Sequence, residues 1–404
     1  GPLSGIRILD VSSAVAGPYG AMILSDLGAE VIKVESPDGD RTRKEGLAQS
    51  THLGQSYFFM AMNRNKKGMT LDLLTDTGRD AFYDLVRISD VVWDNFRPGV
   101  MERLKLDYDT LKQINKRIIS CSVSGFGQTG PYRERGAVDL MALGLSGVLS
   151  VTGEPGGPPI RPGPPEADLW GGAFGAHGVM AALYERERTG VGQRVDIGLL
   201  DGQISNLTYY ISYYFCSGLV PHAMGTSHLS VIPFRAYNTK NGWLVIGPSW
   251  PRLARVMGLD WMIDDPRFVE KEARVVNRQA FDDAIQERLM QESAEDWLQL
   301  FYAEDVRAAP VNTIDRAVID PQVLHRNMIV NIPHPLGGEV RLVGNPIKMP
   351  DSIVEEYTAP PLLGQHNEEI LAELLKYPEE KIRRLREEEE AHREELMFRI
   401  EKAR

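Results

Sequence analysis

The opening stretch of the chain restricts the fold more than any other. An apolar run at 6–11 leads into a turn of small residues, Ser12-Ser13-Ala14-Val15-Ala16-Gly17, and then Pro18, which suits the first turn of a helix. Ala21, Ile23, Leu24 and Leu27 follow at helical spacing, and Gly28 closes the helix as a C-cap. Residues 30–35, Glu-Val-Ile-Lys-Val-Glu, read as a second strand. Two strands joined by one helix make a βαβ unit, which requires a parallel sheet and a right-handed crossover. The alternation continues, with strands predicted at 69–73, 91–96, 118–123 and 193–199 and helices at 77–88, 108–114 and 173–188. Such a pattern predicts an α/β fold whose ligand loops lie at the C-terminal ends of the strands.

At 404 residues the chain exceeds one typical core, so two domains are expected. A Tyr-rich helical stretch at 203–215 gives way to a polar, broken segment at 218–230. A strand pair at 232–246 then turns through Thr239-Lys240-Asn241-Gly242, an Asn-Gly hairpin signal. Helices are predicted at 250–257, 277–290 and 294–302. The expected architecture is a large Rossmann-like parallel-sheet domain at 1–217, a smaller α+β domain at 226–325, and a return to the large domain at 326–404. The return includes a strand at 340–343 and a charged helix from 378. Glu389 and Arg393 are spaced as an i,i+4 pair there, and Leu385, Leu396, Met397 and Ile400 make only a weak stripe, so a solvated helix is expected.

Composition removes several functions. A net charge of −11 argues against nucleic acid or an anionic membrane as partner, and no stretch is long and apolar enough to span a bilayer. Two cysteines give no disulfide framework, and Cys121 sits in an apolar run as a buried strand residue. The chain enters its first strand without a signal or transit peptide, so a cytoplasmic location is expected; Gly1-Pro2 as a cleavage scar would allow an organelle matrix. The first βα turn lacks G-x-G-x-x-G, and no Walker A motif or G-x-S-x-G elbow occurs. His52, His177, His222, His228, His325, His334, His366 and His392 show no metal spacing, and His177 is expected to be packed. No metal and no tightly held cofactor are expected, and a carboxylate remains the best nucleophile or base.

Asp168 is the candidate. It follows a Pro/Gly-rich loop at 153–165 and lies just before the predicted helix at 173–188, where helix N–H groups favour a carboxylate. Local sequence alone allows two readings, a helix N-cap or a reactive group. Gly171 and Gly172 leave N–H groups unshielded for a close ligand. Arg41, Arg43, Lys66, Lys67, Arg97, Arg103 and Arg135 fall at expected strand ends and loops, where one sheet edge would gather an anion pocket. Asn95-Phe96 adds an amide and an aromatic face suited to a nucleobase.

Seven stretches, in order, resemble the class III acyl-CoA transferases of the formyl-CoA transferase/carnitine CoA-transferase type. They are Leu9-Asp10 to Ala16-Gly17-Pro18, Leu27-Gly28-Ala29-Glu30 to Glu35, Asn63-Arg64-Asn65-Lys66-Lys67, and Asn95-Phe96-Arg97-Pro98-Gly99. Ser124-Gly125-Phe126-Gly127-Gln128-Thr129-Gly130-Pro131, Ala167-Asp168 with Gly171-Gly172, and Pro361-Leu362-Leu363-Gly364-Gln365-His366 complete the series. The succinyl-CoA-dependent branch acting on dicarboxylic acids is the closest in appearance, through Gly225-Thr226-Ser227-His228 and Ile232-Pro233-Phe234-Arg235-Ala236-Tyr237.

The resemblance implies an interlocked homodimer, with an acyl-CoA donor and a carboxylate acceptor as substrates and Asp168 as covalent nucleophile. It implies CoA contacts from Ser13, Ala14, Val15 and Ala16, with Leu71, Asn95 and Phe96 at the adenosine end and Arg103 and Arg135 taking phosphate charge. Ser36 stands where some members carry Arg, which moves the phosphate expectation to Arg41 or Arg43. The glycine-rich loop of oxalate-using members is replaced by Ile246-Gly247-Pro248-Ser249-Trp250. N–H groups near Gly171 and Gly172 are expected to stabilise the oxyanions. Two alternatives remain. A 2-methylacyl-CoA racemase shares this fold, but its His-Asp pair reads Val138-Asp139 here, leaving one proton-transfer base missing. The other is a CoA-binding subunit of a heteromeric transferase.

Overall fold

In the computed structural model, which describes residues 1–45, 51–52 and 54–403, the opening stretch forms β1 (Arg7–Asp10), α1 (Ala16–Asp26) and β2 (Glu30–Glu35). Further strands are β3 (Lys66–Thr70), β4 (Val91–Asp94), β5 (Ile119–Ser124) and β6 (Arg194–Gly198). All six pair in parallel, in the order β3-β2-β1-β4-β5-β6. The third strand begins at Lys66 rather than 69. Its lysine reads as loop in the sequence but is buried at 3% exposure, with its charge satisfied inside the protein.

Helices α2 (Asp76–Arg87) and α3 (Tyr108–Ile114) lie on one face of the sheet, where Leu9, Ile32, Met69 and Val92 meet Phe82, Leu85 and Leu111. The Thr75 side chain caps α2 by accepting from the Gly78 N–H at 3.0 Å. Burying each of these large side chains contributes about 1.5–3 kcal/mol. Along the chain come α4 (Asp139–Ser146) and α5 (Glu166–Thr189), and α5 packs with α1 against Trp93. The Tyr-rich stretch breaks at Thr208, φ +34°, into α6 (Leu199–Asn206) and α7 (Thr208–Ser217). No residue of α7 is buried.

Contacts divide the chain into two units: Gly1–Val148, Pro162–Tyr209 and His325–Arg404 in one, Leu149–Arg161 and Tyr210–Leu324 in the other. The second unit is built on the expected hairpin, β7 (Arg235–Asn238) and β8 (Trp243–Ile246), closed by the Thr239 N–H donating to Gly242 O at 2.7 Å. A third strand, β9 (Ala308–Pro310), pairs antiparallel with β8. Phe281, Ile285 and Leu289 of the helix Arg278–Leu289, with Trp297 and Phe301 of Ala294–Ala303, are fully buried beneath it. No helix among the described residues is long and apolar enough to cross a membrane.

Back in the first unit, the strand expected at 340–343 is half of a hairpin, β10 (Ile329–Pro333) and β11 (Glu339–Val343). The C-terminal helix Glu379–Ala403 is not the solvated element expected. Leu385 is 2% exposed in the main core, Glu389 accepts from the Asp72 N–H at 2.9 Å, and His392 bonds the Asp72 carboxylate. Glu389 pairs with Arg386 at 2.9 Å and Arg393 with Asp38 at 3.1 Å, not with each other. The side chains of Leu396, Met397 and Ile400 lie outside the described residues. A stripe too weak by count docks because Leu385, with Ile382 packed beside it, enters an existing core. We predict that Leu385→Ala destabilises the protein by about 2–5 kcal/mol in urea unfolding; an unchanged midpoint would return the helix to solvent.

Candidate functional site

The sheet changes direction between β1 and β4: the chain runs outward from β1 through β2 to β3, and from β4 through β5 to β6. Loops leaving the two strands diverge there and open a crevice, the usual ligand position in open parallel sheets. Asn95 ties the two loops together. Its Nδ2 donates to Ser13 O at 2.7 Å, and its Oδ1 accepts from the Ser13 N–H at 2.9 Å. Only glycine fits at Gly17, since a Cβ would lie 2.2 Å from Ser12 Cβ and 3.1 Å from Asn95 Cγ.

Beneath the turn lie two buried ammonium groups. Lys33 Nζ donates to Ser12 O at 2.9 Å and pairs with Asp40 at 3.1 Å. Lys66 Nζ donates to Pro18 O and Asp10 Oδ2 at 2.9 Å and to Asn63 Oδ1 at 3.0 Å. Asp10 in turn accepts from the Ser12 N–H at 3.0 Å and from the Ser12 hydroxyl. Burial works to raise the Asp10 carboxyl, but Lys66, Lys33 and these hydrogen bonds hold it below its usual range. Burial brings the Lys66 ammonium down to about 8 against the opposing pull of Asp10. Both ends of the turn are thus held through their carbonyls. Between them Ala14 takes φ +65°, and Val15 gives α1 no side-chain cap. The first N–H groups of α1 are therefore available to an anion.

A cavity of about 330 Å³ opens beside this turn, lined by Ser12, Ser13, Ser36, Arg41, Leu71, Leu73, Phe96 and Leu104 among others. It gathers four of the expected CoA residues: Ser13, Arg41, Leu71 and Phe96. Ala14, Val15 and Ala16 continue the same turn, and Asn95 fixes it. Arg43 is a correction. Its guanidinium is held by Glu35 through two 2.7 Å bonds, donates to Pro361 O at 3.0 Å and lies 3.6 Å over the Phe59 ring. It braces the wall, with its charge already paired with Glu35. Lys66 is spent as described, and Lys67 pairs with Glu30 and Glu369, both at 2.7 Å. Arg103 and Arg135 are exposed and do not line this cavity; Arg135 stacks on Tyr132 at 3.8 Å. Among the described residues no cluster of His, Cys, Asp or Glu is arranged for a metal ion.

Asp168 is the third residue of α5, which starts at Glu166, well before the predicted 173. It is not the N-cap. That position is Pro165, whose side chain caps nothing, and Asp139 Oδ1 accepts from the N–H groups of Ala167 (2.8 Å) and Asp168 (3.3 Å). Gly171 and Gly172 lie inside the helix, so their N–H groups belong to its i→i−4 ladder and the expected oxyanion role is not available to them. Their use is packing. A Cβ on Gly172 would lie 2.4 Å from Ala16 O and one on Gly20 2.5 Å from Gly172 O, while one on Gly171 would lie 2.4 Å from Leu199 Cδ2. Backbone-to-backbone approach of α1 and α5 puts Asp168 one turn, about 6 Å, beyond Gly172, at the sheet end that carries the 12–16 turn. His177, expected to be packed, is exposed on the outer face of α5.

Sequence reasoning missed a second cavity, of about 370 Å³, lined by Asp94, Arg97, Glu102, Ser122, Arg133 and Asp196 among others. Residues of the loop 95–99 line both cavities, Arg97 and Gly99 this one and Phe96 the first. Burial pushes the Asp94 carboxyl up to about 6, against hydrogen bonds from the Ser122 hydroxyl (2.6 Å) and the Phe96 N–H (3.1 Å), with Glu102 and Asp196 adding to the rise. Sequence offered one signal, a carboxylate ending a buried strand.

Residues 3–367 match the model of a family described as "CoA-transferase family III". The chain is 36% identical to the succinyl-CoA:glutarate CoA-transferase of Mus musculus, covering 95% of this chain and 89% of that protein. It is 37% identical to the acetyl-CoA:oxalate CoA-transferase of Acetobacter aceti, covering 86% and 89%. A crystal structure of a CAIB/BAIF family protein from Brucella suis superposes with a TM-score of 0.84 at 36% identity, covering 92% of this chain and 99% of that one.

Two predictions follow from the packing and the charge. Gly172→Ala adds helix propensity worth about 1 kcal/mol, yet its clash with Ala16 O outweighs that, so we expect a net loss of about 1–3 kcal/mol in thermal or urea unfolding. A stabilised variant would reject the close crossing. For Asp94, a raised folded value means that the native state takes up its proton first as pH falls. The burial penalty is complete above about pH 6 and is relieved between about 6 and 4. Asp94→Asn, which keeps an acceptor for the Phe96 N–H, is therefore expected to be more stable than the parent at pH 8, by at most about 3 kcal/mol, with the gap closing by pH 4. Urea titrations at the two pH values measure it, and a gap that widens in acid reverses the sign.

Proposed function

The chain belongs to CoA-transferase family III, and on that premise we propose that it moves CoA from succinyl-CoA to a small dicarboxylic acid by covalent chemistry at Asp168. The observation that carries the assignment of the site is the α1–α5 crossing. It brings a carboxylate on a helix start to the sheet end where a turn with uncapped N–H groups borders the cavity of about 330 Å³. In this reading the 12–16 turn and Arg41 hold CoA phosphate and pantetheine, and Leu71 and Phe96 hold the adenosine, with Asn95 fixing the turn. Arg103 and Arg135, outside this cavity but exposed, take phosphate charge from the solvent side.

The steps balance without water or a metal. The Asp168 carboxylate attacks the thioester carbonyl, the C–S bond breaks, and a mixed anhydride and CoA thiolate result. The thiolate then attacks the aspartyl carbonyl, giving an aspartyl-CoA thioester and releasing the donor acid. The acceptor carboxylate attacks that thioester to form a second anhydride, and the thiolate opens it at the acceptor carbonyl, restoring Asp168. One thioester is exchanged for another, so neither group needs activation by hydrolysis. Glutarate and oxalate, the acceptors in the names of two relatives, are both dicarboxylates, which supports the acceptor class; succinyl-CoA is the donor in one of the two names.

A homodimer belongs to the proposal, supported by α7, which leaves Tyr214 at 46% and Phe215 at 77% exposure in the single chain. The free thiols of Cys121 and Cys216 suit a reducing compartment such as the cytoplasm. Racemisation lacks support: Val138 stands where that chemistry needs a base, and its side chain carries no transferable proton.

Activity with succinyl-, acetyl- and formyl-CoA against glutarate, oxalate and monocarboxylates, read by mass spectrometry, tests the substrates; the expected pairing is succinyl-CoA with a dicarboxylate. Asp168→Ala should lose at least about a thousandfold in kcat, about 4 kcal/mol of transition-state stabilisation. Hydroxylamine during turnover should modify Asp168, and an unmodified Asp168 in an active enzyme would eliminate the covalent route.

A further inference from the structure

The first turn of α5 has no cap of its own. Its N-cap is Pro165, which offers no side-chain acceptor, and the preceding segment 162–164 is Pro-Gly-Pro. A helix start in that condition frays, because its leading N–H groups have no partner in the helix. The acceptor comes instead from Asp139, the first residue of α4, which is 6% exposed and takes both the Ala167 N–H at 2.8 Å and the Asp168 N–H at 3.3 Å on one oxygen. Asp139 is itself seated from below. The segment before it rests on Gly125, in the loop after β5, where an added Cβ would lie 2.2 Å from Ala137 Cβ. Gly125 O is fixed in turn by the Leu200 N–H at 3.1 Å.

We propose that Asp139 is the positioning residue for Asp168: through the backbone of Ala167 and Asp168 it fixes the first turn of α5, and the Gly125–Ala137 contact sets Asp139 at the height required. The proposal rests on the reading of Asp168 as nucleophile. Asp139 need not touch substrate to act. A remote group that sets an attacking atom to within an ångström governs the chemical step, and a displacement of about 1 Å can lower a rate about a hundredfold. The thioester is held elsewhere, by the 12–16 turn and its cavity, so a displaced α5 start should leave donor affinity intact.

The test compares Asp139→Ala, Asp139→Asn, Gly125→Ala and Asp168→Ala in the full-length protein, with kcat, donor KM and melting temperature for each. Asp139→Ala is expected to lose about ten- to a hundredfold in kcat, with donor KM within about twofold. Asp139→Asn keeps an oxygen acceptor in the same place and should retain most of the rate. Gly125→Ala, which pushes Ala137 without removing a carboxylate, should reproduce the kcat loss, and it carries the test should Asp139→Ala fail to fold. The proposal is overturned by unchanged kcat in Asp139→Ala or Gly125→Ala, by an Asn variant as impaired as the Ala variant, or by losses confined to KM. An active Asp168→Ala would remove the nucleophile reading itself; an inactive Asp168→Ala beside a normal Asp139→Ala removes only the positioning role.

Discussion

Two lysines buried under a turn carry this architecture. Lys33 and Lys66 enter the sheet region at essentially zero side-chain exposure, and each gives a hydrogen bond to a main-chain carbonyl and forms an ion pair with a carboxylate. Taking an ammonium out of water costs several kcal/mol unless each of its donors is matched. That requirement dictates the local chain path. The carbonyls of Ser12 and Pro18 must point inward to meet the cations, and Asp10 must lie between them. The turn joining those carbonyls is then pinned at both ends, and its amide face is left toward the crevice. The proposed site is the outward side of a charge-neutralised, buried knot.

How much of this was legible in sequence depends on the range of the interaction concerned. The βαβ opening was legible because its periodicities are local, and β2 has the bounds that its pattern implies. The α3 helix likewise spans the predicted 108–114. Misreadings arise where a distant partner overrides local character. Lys66 looks like loop until Asp10, 56 residues away, is brought beside it. Arg43 looks like a phosphate ligand until Glu35 and Phe59 claim it. Leu385 looks too isolated to anchor a helix until the core beneath it is known. One clue was present and unread: a lysine amid Val-Ile and Val in a strand covered on both faces must have buried partners.

Asp168 and its glycines show the same division between residue type and role. Local sequence left Asp168 as either a helix cap or a reactive group; in the structure the cap belongs to Asp139 and the glycines serve a helix crossing. Small residues next to a reactive group are read naturally as room for a ligand. Here that room is filled by another backbone, and the gain is placement. No pattern within the stretch 164–176 distinguishes the two uses, because the difference lies in what α1 does on the other side.

The docking of Glu389 onto the Asp72 N–H has a bearing on assembly as well as stability. Leu71 and Asp72 are wall residues of the first cavity, and the group that fastens them lies 317 positions later in the chain. Contacts of such sequence separation are the last to be rewarded as a polypeptide folds. The early βαβ segment can form its own strands and helix, but this wall stays unfastened until the helix at Glu379–Ala403 has been made and has docked. During synthesis on the ribosome this wall of the cavity is therefore completed late, after the C-terminal helix has emerged.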